Sequence, residues 1–496
     1  MKRGVKRRDF IKVLGLGAAS FAIGGAAAAE GGRKAPGGGA GPASRPPNLL
    51  IIHTDQQSRW TLGCYGGTLI DTPHIDAVAR EGARFENFFT NSAVCTPSRG
   101  CFLTGRYPHA HGAYKNDVPL KRDEVTLAAV LAGEGYDTGY AGKWHLDGRP
   151  KPGWVPPERS MGFADRRFMF NRGHWKKMVD KEGAPHPEVS PYKVIGDEKT
   201  YTTDRLAEKT AAFIEKPRER PFFFMVSFPD PHPPYTVRPP FDERFAPEDM
   251  PVPKTFFETG GPAWLRKARG RKTTPPRRRE ETLRRRKARY CGEVSLIDAA
   301  VGRILEALRR AGCMEDTIVV YSTDHGDYMG EHGLYGKNQL YETAYRIPLL
   351  VRWPRRIRPG TVVERFFASV DFMPTLLSLM GIAPSGREQG RDGAHLLTGG
   401  PGAWADEVFI HHSSLERAGI FTPRYELAFV KDGGGILFDR ASDPDQVRNL
   451  FEDPAHAEVK AALAARIVEH NRAVAAPAAA WLGAAALPGR HGERRG

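Results

Sequence analysis

Cysteine is scarce in this chain: there are five in 496 residues, an odd number. So few thiols cannot build a disulfide scaffold, and at least one stays unpaired. Cys64, Cys101, Cys291 and Cys313 fit core-filling positions. Long apolar runs are missing too. The best candidate, Val13–Ala29, is rich in Ala and Gly and falls short of the roughly 20 residues that a span needs. No stable membrane span is expected. Aromatics are absent from the most basic stretch, Arg266–Arg289, which carries thirteen Lys/Arg and two Glu. Proteins that bind nucleic acid interleave such charge with stacking rings or carry a binding motif, so no nucleic-acid partner is expected.

What is present is ordinary for a globular protein: 40% hydrophobic and 26% charged residues, with a net charge of +15. That charge is uneven. Residues 1–29 hold six Lys/Arg and one Asp, and Arg266–Arg289 accounts for the rest of the excess. The basic run fits either a rim that steers a polyanion toward a pocket or a solvated loop leading into a helix through Tyr290–Leu308. At the N-terminus, Arg7-Arg8-Asp9-Phe10-Ile11-Lys12 precedes the apolar run, and small residues follow. This resembles a twin-arginine export signal over 1–29. It implies the twin-arginine export machinery as a partner and a periplasmic or extracellular location. Residues 30–47 are rich in Gly, Ala, Pro and Arg and are expected to be a flexible linker, with mature structure beginning near Asn48.

Four short apolar runs each end in polar residues. Leu49–Ile52 leads to His53-Thr54-Asp55-Gln56, and Tyr136–Ala141 leads to Gly142-Lys143-Trp144-His145. Phe222–Phe228 leads to Pro229-Asp230-Pro231-His232, and Thr317–Tyr321 leads to Ser322-Thr323-Asp324-His325. Short uncharged runs rich in Ile, Val and Phe predict buried strands. Helical patterns over Val125–Glu134 and Val294–Ala311 lie between them. Strands alternating with helices predict an α/β fold with a mostly parallel sheet covered on both faces. Ligands of such sheets bind at the strands' carboxyl ends. One sheet edge would therefore gather Asp55, Lys143, His145, His232, Asp324 and His325.

A fifth segment brings a nucleophile. Cys95-Thr96-Pro97-Ser98-Arg99 continues as Gly100-Cys101-Phe102-Leu103-Thr104-Gly105-Arg106. Pro97 suits a first helical turn. Cys95 then lies just ahead of a helix N-terminus that favours an anion, with Arg99 one turn on. Asp55, Gln56 and Asp324 offer hard oxygen ligands suited to Ca²⁺ or Mg²⁺, and His325 tilts the choice toward Mn²⁺ or Zn²⁺.

Together these motifs resemble the formylglycine-dependent (type I, arylsulfatase-like) sulfatases over about Asn48 to Val474. The resemblance implies an alkaline-phosphatase-like sandwich, with a large mixed, mostly parallel sheet and a small C-terminal α+β subdomain. The expected boundaries are 48–400 for the catalytic domain, 401–482 for the subdomain and 483–496 for a disordered tail. It implies conversion of Cys95 to Cα-formylglycine by a formylglycine-generating enzyme. Metal ligands would be Asp55, Gln56, residue 95, Asp324 and His325, holding Ca²⁺ or alternatively Mg²⁺ or Mn²⁺. Arg99 would hold residue 95 and the ligand carboxylates. Lys143, His232 and Lys337, which follows Gly330-Glu331-His332-Gly333, would bind the sulfuryl group. His232 or Lys143 would protonate the leaving alcohol, and His145 would support formylglycine and act as a candidate base.

The implied activity is exported hydrolysis of a sulfate ester, on a carbohydrate. Two features depart from the family pattern: Gln56 stands where Asp is commoner, and His325 where Asn is. They keep open a phosphonate or phosphate ester hydrolase using the same modified residue. A catalytically silent glycan-binding homologue is the third alternative. His109 and His111 fit either a pocket lining or structural packing. His174-Trp175 and His411-His412 carry no usable spacing and are expected to be ordinary surface or core residues.

Overall fold

The apolar runs form strands whose side chains alternate between two cores. In a computed structural model, which describes residues 45–181, 184–187, 194–269 and 275–486, Leu49 and Ile51 pack into one apolar cluster. Leu50 and Ile52, from the same strand, pack into another on the opposite face. Burial on both faces is why these runs hold no charge: each fully buried aliphatic side chain contributes about 1.5–3 kcal/mol. The expected signal, almost all of the expected linker and the end of the expected tail lie outside the described residues. Contacts divide the chain into Met1–Arg45 and Pro46–Gly496, and the fold is that of the second unit.

In chain order the strands are β1 (Asn48–Thr54), β2 (Ala83–Phe89), β3 (Asp137–Lys143), β4 (Asp165–Phe170), β5 (Met178–Lys181), β6 (Ala184–Pro187) and β7 (Phe222–Ser227). They continue as β8 (Thr317–Thr323), β9 (Leu349–Arg352), β10 (Thr361–Ala368), β11 (Val408–His411), β12 (Arg417–Phe421), β13 (Tyr425–Val430) and β14 (Gly435–Asp439). Eight of them build one sheet in the order β10-β2-β9-β8-β1-β7-β3-β4. It is parallel except where β9 pairs with β2 and β8. The fold is thus the alkaline-phosphatase-like α/β arrangement. The register aligns the carboxyl ends of the four central strands: Thr54 pairs with Thr323, His53 with Ser227, and Gly142 with Ser227.

Helices Pro73–Arg80, Thr202–Glu215 and Pro276–Arg310 cover one face, while Leu127–Gly133 and Ser369–Met380 cover the other. The Leu127–Gly133 helix is capped by Thr126, whose Oγ1 accepts from the Ala129 N–H at 3.1 Å, a bond worth about 1 kcal/mol. The helix expected from Val294 begins earlier, at Pro276, and runs 35 residues to Arg310. Pro at its first position and straight-chain Arg and Glu behind it favour helix over loop. The antiparallel sheet β11-β12-β13-β14 is packed by helix Ala457–Ala473 on one side and by the large domain on the other. Among the described residues the last helix is Ala479–Ala486, which reaches past 482. Among the described residues no helix is long and apolar enough to cross a membrane.

Candidate active site

The carboxyl ends of β8, β1, β7 and β3 converge on a buried charged cluster. Asp55 follows β1, Asp324 and His325 follow β8, and Lys143 ends β3; all four are fully buried. Cys95 is the first residue of the helix Cys95–Thr104 rather than the residue ahead of it, because Val94 takes the extended N-cap conformation. That places its side chain among the others. Its Sγ lies 3.2 Å from His325 Nε2, 3.8 Å from Asp55 Oδ1 and 3.9 Å from Lys143 Nζ.

Arg99, one turn along, is 1% exposed and satisfied at every nitrogen. Nε donates to Asp324 Oδ2 at 3.0 Å and one terminal nitrogen to Asp55 Oδ2 at 3.0 Å. The other donates to the Lys143 carbonyl at 2.8 Å and Ser227 Oγ at 2.7 Å. A guanidinium fork is the side chain that can tie four strand ends from one buried point. Burial opposes ionisation of Asp55, but Lys143 and neighbouring cations hold its carboxyl well below the usual range. Burial and Asp55 raise the Asp324 pKa, yet His325 and Arg99 bring it below the ordinary value. Both carboxylates are therefore charged at neutral pH. Burial and Asp55 push the Cys95 thiol up, but Lys143 and Lys337 carry it below its ordinary value.

Ligand atoms of Asp55, residue 95, Asp324 and His325 lie within 4.8 Å of one another, all buried. Two charged carboxylates and an imidazole in one pocket fit a divalent cation. His325 Nδ1 meets the Gly326 carbonyl at 3.0 Å, so Nδ1 carries the proton and Nε2 faces the pocket. Gln56, expected beside Asp55, holds its backbone N–H on Asp324 Oδ1 at 2.9 Å. Its amide oxygen accepts from Lys337 Nζ and its amide nitrogen donates to Asp327 Oδ2, each at 2.5 Å. The amide thus faces Lys337. Asp327 in turn accepts from Tyr235 at 2.7 Å.

The histidines divide. His232 reaches the site, with Nδ1 2.8 Å from the Pro233 carbonyl. His145 is buried close enough for Lys143, Arg99 and Asp55 to act on its charge, but its ring nitrogens have no hydrogen-bond partner among the described residues, and none of its hydrogen bonds joins residue 95. What it does supply is its carbonyl, which accepts from Thr96 Oγ1 at 2.9 Å and ties the Cys95 helix to the β3 end. His111 is a core residue whose Nδ1 accepts from the Ala113 N–H at 3.2 Å. His109 and His411 lie together under the small sheet, 5.5 Å apart by ring centroids. His412 Nε2 meets the Asn338 carbonyl at 3.0 Å, beside Lys337.

His174 corrects the sequence expectation. It is not an ordinary residue: its ring stacks on His232 at 3.7 Å and 5°, and its Nε2 lies 2.9 Å from Lys143 Nζ. It follows the carboxyl end of β4, the same sheet edge, so the strand-end rule would have found it had the short Phe168–Phe170 run been recognised as a strand. Asp327 was missed for another reason: its carboxylate meets Gln56 and Tyr235 rather than any of the expected site carboxylates or cations. A cavity of about 760 Å³ between helices Thr202–Glu215 and Pro276–Arg310 shares none of these residues.

The family described as Sulfatase matches residues 47–382, and the C-terminal region of N-sulphoglucosamine sulphohydrolase matches residues 330–473. The chain is 30% identical over 430 residues to an ulvan-active sulfatase of Formosa agariphila, covering 82% of this chain and 78% of that protein. It is 26% identical to an N-acetylglucosamine-6-O-sulfatase of Bacteroides thetaiotaomicron, covering 84% of each. Among solved structures, a phosphonate monoester hydrolase of Agrobacterium radiobacter shares the fold, with a TM-score of 0.72 and 24% identity over 86% of this chain and 96% of that one.

Proposed function

The chain belongs to the sulfatase family and is a sulfuric ester hydrolase, and on that premise we propose that it is an exported enzyme acting on a sulfated carbohydrate through a formylglycine made from Cys95. The observation that carries this reading is the set of polar groups around residue 95: two ionised carboxylates, one imidazole and the cations Arg99, Lys143 and Lys337. The carbohydrate substrate is supported by the ulvan-active and N-acetylglucosamine-6-O-sulfatase relatives. Export is supported by the twin-arginine-like segment Arg7–Lys12.

Asp55, Asp324, His325 and residue 95 would hold the divalent cation, Ca²⁺ by preference, while Gln56, the fifth ligand expected from the sequence, presents its Oε1 to Lys337. Bound there, the cation would supply charge that stabilises a deprotonated hydroxyl on residue 95 and polarises a sulfuryl oxygen. Formylglycine would supply, as its hydrate, one hydroxyl to attack sulfur and a second whose collapse expels sulfate, an exit that a thiol lacks. The remaining work falls to the chain's own side chains. Arg99 fixes both carboxylates, so residue 95 sits in a pocket of set charge. Lys143 and Lys337 face the pocket from two sides and neutralise charge building on the sulfuryl oxygens. Burial and the nearby lysines hold His232 well below its ordinary pKa, so its Nε2 is unprotonated at rest. Lys143, an ammonium, is then the donor ready to protonate the departing oxygen.

A screen of defined sulfated sugars tests the reading. Sulfate release from at least one, abolished in Cys95→Ala with the fold retained, is the expected result. Faster hydrolysis of an aryl phosphonate ester than of any sulfate ester would overturn it in favour of the phosphonate reading.

A further inference from the structure

We propose that His174 is a positioning residue for the leaving-group side of the site, holding the Lys143 ammonium and, through ring stacking, the His232 imidazole. The inference rests on the sulfatase reading above and names a residue outside the sequence-derived site. Three observations carry it. Lys143 can only donate, so at 2.9 Å His174 Nε2 must accept, which puts the His174 proton on Nδ1. The same ammonium is bonded to Asp55, so two acceptors fix its direction. Ligand atoms of Asp55, His174 and His232 lie within 4.8 Å of one another, and the Lys143 ammonium bonds two of the three, Asp55 and His174.

Direction follows from exposure. Cys95, Asp55 and Lys143 are buried, whereas His174 and His232 are half-buried. The nucleophile lies at the floor, so the organic part of an ester must extend outward past the two imidazoles.

The stack is built, not incidental. His174 and His232 come from loops after β4 and β7, and two buried residues tie those loops together. Lys176, two residues beyond His174, is ion-paired with Asp230, two residues before His232. Lys176 Nζ also donates to Glu293 Oε1 at 2.8 Å, and that oxygen accepts from the Thr236 N–H at 2.8 Å. Thr203 Oγ1 donates to the second Asp230 oxygen at 2.7 Å. The Asp230 carbonyl accepts from the Asp55 N–H at 3.1 Å, which connects the clamp to the floor of the site. A fully buried Lys–Asp–Glu group is costly to desolvate, and here it fixes the spacing between two imidazoles.

The test separates positioning from bulk structure by leaving group. Proton donation matters more for a poor leaving group than for a good one. In His174→Phe, which keeps a stacking ring but removes the acceptor, kcat/KM on phenyl sulfate should fall about a hundredfold, and on 4-nitrophenyl sulfate about tenfold or less. His174→Gln, which restores an acceptor, should recover most of the phenyl sulfate rate. Equal losses on both esters, or no loss, would overturn the proposal. So would Phe and Gln variants that behave alike. If the Phe variant fails to fold, His174→Ala removes the same acceptor without added bulk and is judged by the same ratio. Failure of the parent enzyme to release sulfate from either ester and from every sulfated sugar of the screen would instead sink the sulfatase reading.

Discussion

Gly142 precedes Lys143 at φ +107°, and a Cβ there would lie 1.9 Å from the Ser227 carbonyl oxygen of the neighbouring strand. Both the dihedral and the contact demand glycine, and a strained φ alone costs about 1–3 kcal/mol. Gly142→Ala should therefore displace the end of β3 that carries Lys143. The expected outcome is at least about a hundredfold loss of kcat/KM, since misplacing a catalytic group by about 1 Å costs that much, with a lower denaturation midpoint. Parent-like kinetics would show that the strand end tolerates movement. At this scale the sequence is legible where a residue sits in a strand-end motif. Asp55, Cys95, Arg99, Lys143, His232, Asp324, His325 and Lys337 are gathered in or beside the pocket. His145 is in the right segment, but its ring meets none of them by hydrogen bond. His174 and Asp327 were not legible, because their meaning depends on a partner brought near by folding: Lys143 for one, Gln56 for the other.

At the scale of elements, the small sheet meets the large domain through a group of imidazoles, His411 buried and His109 and His470 half-buried. His411 Nε2 on β11 lies 3.0 Å from His470 Nε2 on helix Ala457–Ala473. His109 Nε2, on the short helix Pro108–His111, donates to the Val474 carbonyl at 2.8 Å. Tyr107 lies over His411 and edge-on to His470, and His470 stacks on Phe409. Burial, with His109 and Arg391 nearby, pulls His470 to about 3. Burial and His470 also lower His411 well below its usual value. An unfolded histidine titrates near 6.5, so between about 6.5 and 3 the unfolded chain takes up protons that the folded one refuses. Stability then rises with pH across that window. Melting temperature should fall as pH is lowered from 7 to 4.5, and less steeply in His470→Gln. Identical pH slopes would remove these imidazoles as the cause.

The central strands were legible because burial on both faces leaves a run without charge, as in Leu49–Ile52 and Phe222–Phe228. The long helix was half legible. Its apolar half shows in the spacing from Val294, whereas its basic half, from Pro276, has a polar surface and no periodic signal. In the structure that half neither floats free nor forms a loop: Arg279 lies over Phe256, Arg286 over Tyr335 and Lys287 over Trp60. Cations packed along aromatic faces contribute about 0.5–1 kcal/mol each at exposed sites, which offsets part of the charge repulsion along this half.

For the whole molecule, the parallel sheet turns a linear sequence into one reactive point. Four polar clusters spread over 270 residues, from Asp55 to His325, meet because β8, β1, β7 and β3 are neighbours with aligned ends. This convergence follows from fold class, and the strand-end rule foresees it. The loops that choose a substrate follow no such rule, which is why the sulfatase chemistry is plain and the sulfated group itself is not. The proposed chemistry turns on a single atom of residue 95, the one that attacks sulfur. Mass spectrometry of the peptide carrying residue 95, taken from fully active enzyme, identifies it. An aldehyde at that position in the active fraction is expected, whereas an intact thiol in enzyme that turns over at full rate would overturn the formylglycine proposal.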